Sequence, residues 1–324
     1  MTNRSIYYRQ PPTITIFLFA YNQESFIKEA CLSILAQDYE FPIEIIFSDD
    51  CSQDRTFDIM TQIACSYKGV HNIVLNQNKK NLGLIGHVNL SYKLSKGDLI
   101  FAAAGDDISL SDRVSKTIEA YCLSKKAPMS IYSSVYEIDK NSKVGNIRKP
   151  PFIESVTAEG CVFSSALIIG AAHAWHRNIF DFFGEIEEHE AYEDLVLAYR
   201  SALLDGLVYL DKPLVQYRVN VGISYQHMIN NKDKQRKEKF INDSSYYNKI
   251  MIPVLNQRLK DTSKIVGEDK LTKNITRAIN RQDIHYNYLM KNYGFFRSIS
   301  KSIGFIDVLY FIKYWFRLAR KGYL

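Results

Sequence analysis

Cysteine is scarce and follows no pairing pattern. Cys31, Cys51, Cys65, Cys122 and Cys161 are odd in number, unevenly spaced and never form a CxxC pair, which excludes a disulfide framework and a sulfur-based zinc site as organising features. A reducing, cytoplasmic setting is the expectation. Long hydrophobic runs are also missing: the longest candidate, Ile303 to Ala319, is broken by Asp307, Lys313 and Arg317, short of the about eighteen uninterrupted apolar residues of a spanning helix. The opening MTNRSIYYRQPP has no apolar core followed by a small-residue cleavage site, so no secretory signal is expected. Internal repeats and long low-complexity tracts are absent as well.

What is present is ordinary in bulk and uneven in charge. With 324 residues, 46% hydrophobic and 23% charged, the chain can bury one large core or two modest ones. The net charge of +6 conceals roughly +12 over residues 225–324 and roughly −6 over residues 1–224. The basic part is a separate electrostatic object, and charge alone does not choose among nucleic acid, anionic lipid and acidic substrate as its partner.

From Thr13 to about Leu123, apolar runs alternate with polar turns and amphipathic segments. TITIFLFA precedes a helix near Glu24–Gln37, IEIIFS one starting near Thr56, NIVL one near Ile85–Leu94, and DLIFAAA one from about Ser111. This alternation predicts a parallel sheet with helical crossovers. Residues 129–220 are less regular, with candidate strands MSIYSSVY, ALIIGAAHAW and LVYL and a helix near Tyr192–Asp205 completing the same sheet. Beyond Ser224 the reading is helical, with Asn230–Lys239 a loop or solvated helix.

Two acidic pairs stand at the ends of buried-strand runs: Asp49-Asp50 after IEIIFS and Asp106-Asp107 after DLIFAAAG. The carboxyl ends of strands are where open α/β sheets bind ligands. Crowded carboxylates repel unless a cation or donor sits among them, so the edge suits a divalent metal and a phosphate-bearing substrate. Helix capping explains one acid in the run from Ser48 to Thr56, not three. Gly105 would allow close backbone approach beside the second pair.

On these residues the chain resembles family 2 glycosyltransferases of the GT-A fold. The resemblance rests on Ala20-Tyr21-Asn22, the DDxSxDxT run at 49 to 56, Asn81-Leu82-Gly83 with Asn89, AGDD at 104 to 107, Tyr192-Glu193-Asp194 before LVLAYRSALLDG, and the closing DKPLVQYR at 211 to 218. It implies a Rossmann-like α/β domain over 1–224 with a mixed, mainly parallel sheet flanked by helices: a nucleotide-sugar part at about 13–124 and an acceptor part at about 125–224. A helical basic extension follows over 225–324. It further implies a nucleoside diphosphate sugar, UDP-linked, as donor; a glycan or lipid-linked glycan as acceptor; Mg²⁺ or Mn²⁺ as cofactor; and inverting transfer in surface polysaccharide assembly. Position by position, Ala20, Tyr21, Asn22, Asp49, Asp50, Asn81, Gly83 and Asp107 fall to the donor, and Asp106 to the metal. Asp194 is then the general base, with Glu193 beside it. A sugar hydroxyl must lose its proton as it attacks the anomeric carbon, which gives Asp194 an independent chemical reason.

Two departures stand out. Ala104 replaces the first acid of the usual DxD motif, which thins the metal site. Asn220 replaces the histidine that often closes the domain, leaving Arg218 either to hold the diphosphate or to serve as a structural arginine. Trp175, flanked by His173 and His176, falls in the family's acceptor-facing region, where an aromatic ring can stack on a sugar; the other use is a core tryptophan. His87 is expected at the surface or in a cap, and Lys79 and Lys80 as a solvated pair. The stretch from 303 to 321 reads as a basic amphipathic helix suited to the inner face of the cell membrane, or to packing on the catalytic domain or a second copy of the chain. Two other functional classes remain in view: a nucleic-acid binder, which leaves the strand-end acids unexplained, and a noncatalytic nucleotide-sugar-binding subunit, suggested by Ala104 and Asn220. No nucleic-acid partner is expected.

Overall fold

The computed structural model describes residues 9–151, 157–221, 236–267 and 269–321. Internal contacts divide the chain into one unit of residues 1–189 and 193–222 and another of 190–192 and 223–324. The boundary read at 224 and most of Asn230–Lys239 lie outside the described residues.

In the first unit the continuous apolar runs become the parallel strands β1 (Ile14–Ala20), β2 (Glu44–Asp49), β3 (Asn72–Gln77) and β4 (Leu99–Ala104), in the order β3-β2-β1-β4. They connect through helices α1 (Ile27–Leu35), α2 (Thr56–Ser66) and α3 (Gly83–Leu94), with α4 (Arg113–Leu123) following β4. β1, β2 and β4 are buried almost throughout, as strands covered on both faces must be. Ile16, Leu18, Ile45, Phe47, Leu99 and Phe101 pack against Ile27, Cys31, Ile34, Met60, Val114 and Ile118 in one core. β3 is the outer strand of this series, and its more polar NIVLNQ leaves much of it exposed.

The sheet continues through β8 (His173–His176), β6 (Ser130–Ile138), β9 (Leu207–Arg218) and β5 (Ile108–Ser109), with β7 (Val144–Arg148) paired to β6. β8 runs antiparallel between β4 and β6, whereas β6 and β9 are parallel. Short helices α5 (Ala158–Cys161) and α6 (Asn178–Phe183) and the longer α7 (Glu193–Leu203) complete the unit. ALIIGAAHAW does not form one strand: Gly170–Ala172 make a 3₁₀ turn and only the segment from His173 joins the sheet. Gly170 packs closely on the start of α7 there, since a Cβ on it would collide with Glu193 Oε1.

The second unit contains α8 (Arg236–Val266), α9 (Lys270–Leu289), α10 (Phe295–Lys301) and α11 (Phe305–Arg320). Asp269 and Thr272 start α9 with a reciprocal capping box at 2.9 Å each way, which satisfies otherwise orphaned helix-end donors. Val254, Leu255, Ile275, Ile284, Phe311 and Leu318 are buried. No described helix is long and apolar enough to cross a membrane.

The order β3-β2-β1-β4 places the site. The chain winds outward from β1 to β3, then returns to the other side of β1. The crevice at such a switch point, beyond the carboxyl ends of β1 and β4, is where doubly wound sheets take ligands.

Candidate active site

The backbone ladder runs past the strand ends and aligns the motifs. Asp50 N donates to Ala20 O at 2.8 Å, Asn78 N to Asp49 O at 2.9 Å and Gly105 N to Phe19 O at 2.9 Å. Asn22 and Cys51 hold left-handed conformations, with φ of 51° and 66°, costs that persist where the surroundings enforce them and that cluster at working sites. Asn22 is held at both ends: its N–H donates to Ser52 Oγ and its Oδ1 accepts from Gln53 N, each at 2.8 Å. Tyr21 stands exposed beside it.

The first acidic pair is turned inward. Asp49, fully buried, accepts from Ser52 N at 2.9 Å, from the Ser52 hydroxyl and from Gln77 Nε2 at 3.3 Å. Asp50 Oδ1 accepts from Asn78 Nδ2 and Leu82 N, both at 2.8 Å, while Oδ2 accepts from Gly83 N at 3.0 Å. Asp50 therefore braces the loop into α3, where Asn81 Oδ1 also accepts from Gly83 N at 2.9 Å. Gly83 takes φ of 69°, a conformation glycine adopts without Cβ strain.

The second pair is less settled. Asp107 is buried; its Oδ1 accepts from Arg218 N at 2.7 Å, and its buried Oδ2 has no hydrogen-bond partner among the described residues. Burial pushes its carboxyl well above the usual range, and neighbouring Asp106 adds to the shift. Asp106 is pushed up by burial too, against its own backbone hydrogen bonding, the charge of Arg218 and a hydrogen bond with Gln23. Gln23 carries no motif that would mark it in the sequence. Gly105 makes room for it, since a Cβ there would collide with Gln23 Oε1 and stand 2.9 Å from Ile27 Cδ1.

The third acid arrives from α7. Glu193 and Asp194 form its first turn, where the helix dipole favours negative charge. Tyr217, on β9, links the two groups: burial raises its hydroxyl, and the charges of Asp107, Asp106 and Asp194 raise it further against Arg148. β9 reaches this place because β5, directly after Asp107, pairs with it through Ile108–Gln216 and Ser109–Val215. The Glu193 carboxyl is enclosed although the residue keeps some solvent contact. Burial first, and Asp194 second, push it up to about 8. The shift favours a proton held by this pair at neutral pH.

Residues 15–181 match the family model described as glycosyl transferase family 2. The chain belongs to glycosyltransferase family 2. An uncharacterized glycosyltransferase of Haemophilus influenzae is 27% identical over 75% of this chain and 77% of its own length. WfaP of Escherichia coli, a UDP-Glc:alpha-D-GlcNAc-diphosphoundecaprenol beta-1,3-glucosyltransferase, is 33% identical over 43% of this chain and 53% of its own. In fold, the chain resembles S. aureus TarS 1-349 in complex with UDP-GlcNAc, with a TM-score of 0.50 at 15% identity over 91% of this chain and 77% of that one. It also resembles the Pyrobaculum calidifontis mannosyltransferase PcManGT in complex with GDP-Man and Mn2+, with a TM-score of 0.53 at 12% identity over 99% and 86%. Family membership makes the chain a transferase, and the mixed sheet is that of its GT-A neighbours.

Within this family 2 enzyme several expected residues stand elsewhere than expected. His173 and Trp175 have no exposed surface; they lie on β8 in the middle of the sheet, with His173 Nε2 2.7 Å from Ser130 Oγ, so neither meets an acceptor. Arg218 is buried and spent inside the fold. Its Nε donates to Asp106 O at 2.8 Å, one terminal nitrogen to Asp139 O at 2.7 Å and the other to Glu29 Oε2 at 2.9 Å, with Ser142 Oγ 3.2 Å from both. It is the structural arginine, joining β9 to the loop of the second pair, rather than a hand for diphosphate. Asn220 is exposed in a left-handed turn with φ of 63°.

His87 is not a surface residue. It is buried on α3 with Nε2 2.6 Å from Ser48 Oγ and lies edge-on to Phe17 and Phe19. Burial lowers it to about 4 against the pull of Asp50 and Asp49, so it is neutral beneath the first pair. Asn89 sits within α3 and ties Ile186 in place through two 2.9 Å bonds. A hollow of about 590 Å³ lies within the second unit, lined by groups such as Tyr247, His285, Tyr314 and Lys313. It holds none of the strand-end acids, so the chemistry is assigned to the sheet edge.

Proposed function

We propose that this glycosyltransferase moves a sugar from a UDP-linked donor to a glycan or lipid-linked glycan acceptor, with inversion, in surface polysaccharide assembly. One observation carries the reading: Asp106 and Asp107 follow β4 at the β1/β4 switch point, and the β5–β9 pairing brings beside them Tyr217, whose hydroxyl is raised by burial and by the charges of Asp107, Asp106 and Asp194. WfaP, whose name specifies a UDP-Glc donor and a diphosphoundecaprenol-linked acceptor, supports the substrate class.

The nucleoside would lie along exposed Tyr21 and the Asn22–Ser52 staple. Asp49, Asp50, Asn81 and Gly83 hold the loop around it. Among the described residues no three His, Cys, Asp or Glu side chains cluster as a metal cage. A site of one or two carboxylates completed by phosphate oxygens is what Mg²⁺ or Mn²⁺ commonly uses. The residues fit such an ion: Asp106 is raised by burial and Asp107 Oδ2 is buried without a partner among the described residues, both conditions that a cation relieves. An ion held by Asp106 would supply positive charge to the departing diphosphate.

Asp194 accepts the proton of the acceptor hydroxyl as its oxygen bonds to the anomeric carbon and the bond to diphosphate breaks. Glu193, protonated at neutral pH, does not compete as base; it keeps the negative charge of the pair on Asp194. A panel of nucleotide sugars with Mn²⁺, scored by thermal shift and nucleoside diphosphate release, tests this. A single UDP-sugar should stabilise and turn over, with turnover lost in Asp106→Ala and Asp194→Ala. Response to no donor, or turnover indifferent to both substitutions, would sink it.

A further inference from the structure

The helices α10 and α11 present a face that the transfer reaction does not use. On α11, Asp307, Phe311 and Leu318 are buried. Phe305, Leu309 and Phe316 repeat the same spacing two residues earlier, which at about 100° per residue places them on the opposite side, and all three are exposed. Phe305 is 76% exposed, Ile306 67%, and Phe296 on α10 84%. Side chains of this size standing in water are the informative exceptions to ordinary burial.

Charge identifies the partner. From Ile284 to Lys321 the sequence has seven Lys or Arg residues and one acid, Asp307. That acid is withdrawn: it is 3% exposed and held by Arg281 at 2.6 Å. Arg297, Lys301, Lys313, Arg317, Arg320 and Lys321 are all exposed. The outward face is thus aromatic and aliphatic side chains interleaved with cations, of which Lys313, Arg317 and Lys321 also border the hollow beside Asp243 of α8; α10 and α11 themselves expose no carboxylate. A second copy of this chain docked isologously would set this face against itself and bring like charges together.

We propose that α10 and α11 form an interfacial membrane-binding surface, which lies in the headgroup layer of an anionic bilayer. Phe296, Phe305, Ile306, Leu309 and Phe316 enter the acyl boundary while the basic side chains meet lipid phosphates. The binding requires neither donor nor acceptor, so it stands or falls separately from sugar transfer.

The full chain would be floated with vesicles of phosphatidylcholine alone or with about a third phosphatidylglycerol, at low and high salt. Binding to the anionic vesicles, weakened by salt as exposed charges are screened, is the expected result. Lys313→Gln with Arg320→Gln should lower partitioning about tenfold, and Phe305→Ser with Phe316→Ser at least as much, with the circular dichroism and thermal midpoint of both variants unchanged. Equal binding to neutral vesicles, absence from the floated fraction, or a concentration-dependent dimer lost in the Phe variant would overturn the proposal. So would salt-sensitive binding of a single-stranded oligonucleotide in place of anionic vesicles.

Discussion

The two acidic pairs look alike in the sequence and differ in the folded chain. Asp49 and Asp50 terminate β2 with both carboxylates filled by Ser52, Gln77, Asn78, Leu82 and Gly83. Asp106 and Asp107 follow β4 with both carboxyls pushed upward by burial and with Asp107 Oδ2 unpartnered among the described residues. The difference lies in the path of the chain beyond each strand. After Asp50 come a left-handed Cys51 and a loop whose amides turn back to the carboxylates; after Asp107 comes a two-residue strand that returns to β9. One pair is a brace, completed by the protein. The other is the one that the proposed mechanism completes with a ligand.

The largest effects belong to the second edge and its partner on α7. Asp194→Asn should reduce kcat by about 10³-fold, within the range of a lost general base, while donor binding persists. Asp106→Asn should reduce kcat/KM by about 10²- to 10³-fold, roughly 3–4 kcal/mol of transition-state stabilisation, and abolish the extra thermal stabilisation that Mn²⁺ gives with UDP. Chelation of divalent ions should reproduce the Asp106→Asn loss in the unaltered enzyme. A full Mn²⁺ response in Asp106→Asn would place the cation elsewhere and dissolve the contrast.

Asp50→Ala should read out first as stability. It leaves Leu82 N and the buried Asn78 side chain without their acceptor, while Gly83 N keeps Asn81 Oδ1, a cost of about 2 kcal/mol, measured as a lower urea midpoint at unchanged slope. Donor KM should rise as the loop into α3 loosens. An unchanged midpoint with donor binding abolished would make Asp50 a ligand hand rather than a brace, and the two pairs would be equivalent after all.

The parallel half of the sheet is legible in the sequence because its strands are continuous apolar runs separated by helices, a pattern with few alternatives. The strand-end acids follow from that placement alone. Residues beyond β4 are harder to place, for a physical reason. β8 lies between β4 and β6 with no solvent face, so His173 and Trp175 carry no alternation to distinguish a buried ring from one offered to a sugar. Arg218 has two uses open to it in the sequence because a fully enclosed guanidinium depends on acceptors from Glu29, Asp106 and Asp139, far apart in the chain. His87 departs from its expected surface position because it lies among Ile85, Val88 and Ser91 on the buried side of α3, where its ring meets Ser48. Gln23 is visible only as the neighbour of a motif residue, and Tyr217, although inside the closing motif, has no spacing that marks it as facing the acids.

Glu193 tests whether the same contrast extends within a single pair on α7, where one acid is held neutral and its neighbour does the work. Its carboxyl lies near 8 in the folded chain against 4.5 for the free group. Between those values the native state keeps a proton that the unfolded state has released. The Glu193 contribution is therefore fully present below about 4.5 and is lost as pH rises towards 8. Glutamine is neutral throughout and lacks this slope. The stability of Glu193→Gln relative to the unaltered enzyme should accordingly grow between pH 5 and pH 8.5, about the window set by these values. His87, held low at about 4, acts with the opposite slope in both proteins and cancels in the difference. At pH 7 the variant should retain kcat within about threefold, because a neutral amide replaces a neutral acid, in contrast to the 10³-fold scale expected for Asp194→Asn. A stability difference flat in pH, or a kcat loss as large as that of Asp194→Asn, would mean that the two acids share the base's role.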